Sequence, residues 1–219
     1  MSIPCHAVIF DLDGVLIDSQ AAIRQRWQRW AAHHDIPFEE VKAVYHGRPM
    51  AEVIDAVAPN LDLQEEIARM DRLAAPEDGA LRAFAGAEAL LDALPNDRWT
   101  IATSGRRSTA TGRLQAAGLP MPDTLVTADD VAHGKPAPDP YRLAAERLDF
   151  PADQCVVFED APAGIESARR AGAAVLGIAS HRPPEALRDA TAVLDRLSDA
   201  QIAEGPDAPL RVHWSSARS

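Results

Sequence analysis

Two acids, Asp11 and Asp13, follow the apolar run 7–10 and precede Gly14. The run is short, rich in β-branched and aromatic residues, and reads as a buried parallel strand. Acids that directly follow such a strand lie beyond its carboxyl end, where open α/β sheets bind their ligands. Two carboxylates this close repel each other unless they share a proton or a hard cation. Magnesium suits the pair, because it takes carboxylate and carbonyl oxygens and commonly keeps waters and a substrate phosphate around it. An Asp-x-Asp by itself also reads as a solvated turn or a helix cap, so the weight falls on what else the chain supplies.

Three more strand ends carry polar residues: Thr103-Ser104-Gly105, then Lys135 in Gly134-Lys135-Pro136, then Glu159-Asp160. A hydroxyl and backbone amides at a helix N-terminus can hold phosphate oxygens, a lysine can neutralise their charge, and a further acid can complete a magnesium site. Each has a plain structural alternative: a cap for Thr103, a solvated loop for Lys135, a cap of the next helix for Glu159-Asp160. Taken together and in this order they describe a site for phosphoryl transfer.

The elements that must position these groups follow from the periodicity. Residues 21–34 carry Ile23, Trp27, Trp30 and Ala31 on one helical face, so the aromatics read as core rather than as a ligand box. Helical patterns follow at 39–45, 50–57 and 63–74, broken by Pro59 and Pro76, with no convincing strand among them. The region 19–81 is therefore expected to be a small helical cap domain inserted into a core made of 1–18 and 82–219. Within it, His46-Gly47-Arg48-Pro49 is either an ordinary surface turn or a basic loop from which Arg48, with His46, reaches an anionic or polyhydroxylated substrate. From residue 83 onward helices (85–94, 106–117, 138–148, 163–171) alternate with strands (99–103, 124–127, 155–158, 174–178), and 191–194 adds an edge strand. Helices of this length between apolar strands make right-handed crossovers, which predicts an α/β class, doubly wound (Rossmann-like) parallel sheet. Past Gly205 the chain is proline-rich and polar and is expected to be loosely held.

With motif I as Asp11-Leu12-Asp13-Gly14-Val15, motif II at Thr103, motif III at Lys135 in Gly134-Lys135-Pro136-Ala137-Pro138-Asp139 and motif IV as Phe158-Glu159-Asp160-Ala161-Pro162-Ala163-Gly164-Ile165, the sequence resembles the haloacid dehalogenase superfamily of phosphatases. The helical insert resembles the cap of the β-phosphoglucomutase-like branch, and the motifs look most like those of sugar-phosphate and polyol-phosphate phosphatases. The resemblance implies that Asp11 is the nucleophile and Asp13 the general acid and base, with Thr103, Ser104 and Lys135 binding the phosphoryl group. It implies a magnesium ion at Asp11, Asp13 and Asp160, with Glu159 as a further ligand or an acid beside them.

The nearest rival is a sugar phosphomutase, which would return the phosphoryl group to its substrate if water were kept out. In β-phosphoglucomutases a histidine assists that cycle from the first cap helix, and the matching position here is Ile23. A dehalogenase would need neither Asp13 nor the Glu159-Asp160 pair. A catalytically dead fold that binds a ligand or partner is the reading of another class, and the complete set of acids, lysine and threonine speaks against it.

Composition narrows the partners. The net charge of −11, from 33 acidic and 22 basic residues, comes with no basic stripe, so nucleic acid is not an expected partner. Cys5 and Cys155 are too few for a disulfide framework and read as buried thiols. No stretch has the length and apolarity of a membrane span, and the first residues lack the regions of a secretory signal, so the cytoplasm is the expected location. The expected partner is a small-molecule phosphate ester, and the expected state is a monomer or weak homodimer.

Overall fold

The computed structural model describes residues 1–45, 50–73, 81–204 and 209–215. The chain forms two compact units, Met1–Asp18 with Arg82–Ser219, and Ser19–Leu81. The first unit begins with strands β1 (Ser2–Cys5), β2 (Ala7–Phe10) and the short β3 (Ile17–Asp18). The second unit then supplies helices α1 (Gln20–His33), α2 (Phe38–Lys42), α3 (Met50–Val57) and α4 (Leu63–Leu73). The first unit resumes with β4 (Arg82–Ala83), α5 (Ala87–Asp92), β5 (Trp99–Ala102), α6 (Arg107–Ala116), β6 (Leu125–Val126) and α7 (Asp139–Arg147). It ends with β7 (Cys155–Glu159), α8 (Pro162–Ala171), β8 (Ala174–Ile178), β9 (Ala192–Leu194), β10 (Ala200–Ala203) and β11 (Leu210–Trp214).

Six strands form one parallel sheet in the order β6-β5-β2-β7-β8-β9. The chain leaves the central β2 in one direction through β5 and β6 and in the other through β7, β8 and β9. That reversal of direction leaves a crevice at the carboxyl ends of the central strands. A strand covered on both faces reads as a continuous apolar run, and Ala7, Val8, Ile9 and Phe10 are all fully buried. Tyr141, Ala144 and Ala145 of α7 and Ile165 and Ala168 of α8 pack with Ala7, Ile9 and Val157 in one core cluster. Phe10 stacks on Phe158 with ring centroids 5.1 Å apart, so neighbouring strands are also tied through their side chains.

Among its described residues the second unit holds helices joined by turns and no strand. Trp27, Trp30, Val41, Val53, Ile54 and Met70 form its core, and Ile23 packs against it. The indole N–H of Trp30 donates to Glu66 at 2.7 Å, which satisfies the polar atom that burial would otherwise isolate.

One expectation is corrected. The chain beyond Gly205 is not loosely held where it is described: β11 pairs antiparallel with β1 and β10 to make a second, three-stranded sheet. Leu210, Val212 and Trp214 alternate inward along β11, a period-two pattern that the flanking prolines and polar residues obscure. The pair β3 and β4, joined through Ile17 with Ala83 and Asp18 with Arg82, was also unforeseen, because two residues are too few to show a period.

Candidate active site

The loop after β2 begins with the Asp11 amide donating to the Phe158 carbonyl at 2.9 Å, which fastens it to β7. It then turns tightly, with the Leu16 and Ile17 amides both donating to the Leu12 carbonyl at 3.0 Å. Gly14 sits in this turn at φ +91°, a conformation that suits glycine, and the carboxylate of Asp160 occupies the space a Cβ there would need. Glycine is therefore required twice over: by the backbone, and by the acid that approaches it from the loop after β7. The Ser180 hydroxyl donates to the Gly14 carbonyl at 2.6 Å and holds the turn from the β8 side.

Lys135 stands at the centre of the charged groups. Its Nζ donates to Asp11 Oδ1 at 2.6 Å, to Glu159 Oε1 at 2.7 Å and to the Ala102 carbonyl at 3.0 Å. The hydroxyl of Tyr141 also donates to Glu159 Oε1, at 2.8 Å, and the Ala161 amide donates to Glu159 Oε2 at 2.9 Å. Both oxygens of Glu159 are thus engaged by the protein. The same carboxylate lies where a Cβ on Gly164 would fall, so α8 can approach it only through a glycine.

Burial raises the pKa of Asp11, and although Lys135 pulls it back, the Glu159 and Asp13 charges add to the rise and leave it pushed up to about 7. For Lys135 burial favours the neutral amine, but attraction to Asp11 and Glu159 outweighs it and holds the pKa well above the usual lysine value. Asp160 is raised well above the ordinary carboxylate range by burial and by the neighbouring Glu159 and Asp11 charges. One cation thus faces three crowded acids. Oxygens of Asp11, Glu159 and Asp160 lie within 4.8 Å of one another, an all-oxygen donor set of the kind hard divalent cations take. Asp160 makes no hydrogen bond through its carboxylate among the described residues, whereas each oxygen of Glu159 already accepts from a protein donor, so Asp11 and Asp160 are the acids with an oxygen that takes no protein hydrogen bond.

Thr103 follows β5, the strand paired with β2, and is buried; its hydroxyl accepts from the Gly105 amide at 3.1 Å. Ser104 is exposed beside it, and α6 starts at Arg107. The neighbouring loop after β6 is held by Asp130, which accepts from the Thr127 amide and hydroxyl and pairs with Arg107 and Arg147. Asp13 points to a different partner from Asp11: its Oδ2 accepts from Nη1 of Arg113 at 2.5 Å. His46 and Arg48 lie outside the described residues.

Two participants escaped the sequence reading, Arg113 and Tyr141. Arg113 occupies the last turn of a helix, where a basic residue is expected to face solvent and the helix dipole. The signal available was its placement: it lies three residues after Ala110 and next to Leu114, on the buried face of α6. Tyr141 shares its helical face with Ala144 and Ala145 and reads as core, which it also is.

A family model described as a haloacid dehalogenase-like hydrolase matches residues 5–172. The chain is 36% identical over 208 residues to hexitol phosphatase A of Escherichia coli (strain K12), covering 93% of this chain and 96% of that one. It is 38% identical over 201 residues to validoxylamine A 7'-phosphate phosphatase of Streptomyces hygroscopicus subsp. limoneus, covering 88% and 94%. Among solved structures, a hydrolase from Pseudomonas syringae superposes with a TM-score of 0.71 at 31% identity, covering 89% of this chain and 95% of that one. The chain belongs to the haloacid dehalogenase-like hydrolases, as an enzyme of the branch whose named relatives are phosphatases.

Proposed function

We propose that this hydrolase is a magnesium-dependent phosphatase that cleaves a small sugar phosphate or polyol phosphate through a phosphoryl intermediate on Asp11. The observation that carries the reading is Asp11 itself: a buried carboxylate at the carboxyl end of the central strand, with Lys135 at 2.6 Å and Asp160 beside it. The substrate class rests on the relatives, which are named as a hexitol phosphatase and a validoxylamine A 7'-phosphate phosphatase.

In the first step an oxygen of Asp11 attacks phosphorus, the O–P bond of the ester breaks, and Asp13 gives a proton to the departing alkoxide. In the second, Asp13 takes a proton from water as that water attacks the same phosphorus. The O–P bond to Asp11 breaks, phosphate leaves, and the carboxylate is restored. Lys135 offsets the repulsion between Asp11 and the incoming dianion, and Thr103 with the backbone at Ser104 would hold the phosphoryl oxygens. Glu159 keeps Lys135 in place, since both of its oxygens are already engaged by protein groups. Asp11, Asp160 and the backbone carbonyl of Asp13 would hold the magnesium ion, which supplies positive charge against the developing negative charge when bound.

The test is phosphate release from hexose, hexitol and glycerol phosphates with magnesium and with a chelator. Turnover should vanish with the chelator and return with added magnesium. Undiminished turnover in the chelator would refute the metal dependence, and inactivity toward every ester of the panel would refute the substrate class.

A further inference from the structure

We propose that Arg113 is the positioning residue for Asp13: it takes one carboxylate oxygen and so presents the other for proton transfer. The inference rests on the reading above that Asp13 is the general acid and base, and goes beyond it by naming what aims that group. Arg113 Nη1 lies 2.5 Å from Asp13 Oδ2, while Asp13 Oδ1 is buried with no hydrogen-bond partner among the described residues. A carboxylate turns easily about its last torsion, so a free Asp13 would offer either oxygen in any plane. The ion pair removes that freedom.

The placement is costly for a merely structural arginine. The Arg113 side chain is 5% exposed, against 22% for Asp13, on a helix face it shares with Ala110 and Leu114. An apolar residue there would pack without any desolvation of charge, and buried ion pairs give little net stability over such a replacement. The contact also joins segments 100 residues apart. The helix that carries Arg113 begins directly after the Thr103–Gly105 turn, so one element would set both the phosphoryl-binding loop and the aim of the proton donor. An acid or base oriented by a third group is a recurring arrangement in nucleophilic catalysis. Among the described residues the second guanidinium nitrogen, Nη2, has no partner, so the pair is end-on through a single nitrogen. A lysine can supply such a contact.

The test uses leaving groups. An alkyl phosphate needs a proton on its departing oxygen, whereas p-nitrophenyl phosphate does not, and kcat/KM reports the step in which that oxygen departs. Asp13→Asn should lose far more kcat/KM on a sugar phosphate than on the aryl ester. Arg113→Gln should show the same bias, with a loss at least about tenfold larger on the sugar phosphate, and Arg113→Lys should recover most of it. In the Asp13→Asn background Arg113→Gln should add no further loss, because the two act through one group. If the Gln variant does not fold, Arg113→Met keeps the packing of the stem and takes its place. Equal losses on both esters, or multiplying losses in the double variant, would overturn the proposal while leaving Asp13 as the acid. An unbiased Asp13→Asn would instead overturn the acid role and the proposal with it.

Discussion

Lys135 holds two acids that would otherwise repel each other, and it does so where solvent cannot help. Its neighbours Asp11 and Glu159 are both buried, so removing the amine leaves two carboxylates with no counter-charge. Lys135→Met should therefore destabilise the protein by roughly 3–5 kcal/mol in urea unfolding, besides abolishing turnover. Gly164→Ala should act at one remove: the new methyl group meets the Glu159 carboxylate, displaces it from Lys135, and lowers kcat while the helix itself loses nothing in propensity. A kcat equal to that of the parent protein would mean that Glu159 does not govern Lys135. The residues of the candidate site were largely legible, since Asp11, Thr103, Glu159 and Asp160 each stand at or directly beyond the end of an apolar strand. What was not legible is who touches whom. The partner of Asp13 is distant in the chain, and nothing in the sequence says that Lys135 and Tyr141 both reach Glu159.

At the scale of the element, the helical unit is organised around one buried acid. Glu66 accepts from Trp30, pairs with His34 at 2.7 Å and is approached by Arg69. Burial alone would raise its pKa, but the hydrogen bonds from His34 and Trp30 outweigh burial and hold it below the ordinary value of 4.5. A folded-state pKa lowered from 4.5 gives stability that is fully present above 4.5 and is lost as the pH falls from there through the lowered value. The melting temperature of the native protein should thus fall more steeply on acidification than that of Glu66→Gln. Glu66→Ala, which leaves the Trp30 indole unpaired, should cost about 1–3 kcal/mol at neutral pH. The two longer helices of this unit, α1 and α4, were legible because their apolar stripes run for several turns. The strand Leu210–Trp214 was not: the sequence around it is polar and proline-bearing, and its inward alternation has meaning only once Ser2–Cys5 is there to pair with it.

At the scale of the molecule, the alternation of apolar strands with crossover helices carried the fold, and the order β6-β5-β2-β7-β8-β9 brings the loops after β5, β2 and β7 side by side. The sheet thus converts three separated motifs into one charged cluster, and Lys135 ties that cluster to the Ala102 carbonyl beside Thr103. The same burial protects the thiols. Cys5 is pushed up to about 11 and Cys155 to about 12, each chiefly by burial, so both are neutral thiols at physiological pH. Iodoacetamide should leave the native protein unmodified and alkylate both cysteines once it is unfolded, as read by mass spectrometry. The substrate's identity was not legible, because it rests on side-chain contacts that no sequence pattern orders. The central claim is that Asp11 carries the phosphoryl group between the two steps. Rapid acid quench of a single turnover with a sugar phosphate, followed by peptide mass spectrometry, tests it most directly. The account predicts a transient phosphoryl group on the Asp11 peptide that decays as free phosphate rises, and that is missing in Asp11→Asn along with at least about a thousandfold of the turnover. Full turnover with no phosphoryl group on that peptide at any time, or near-normal turnover by Asp11→Asn, would contradict it.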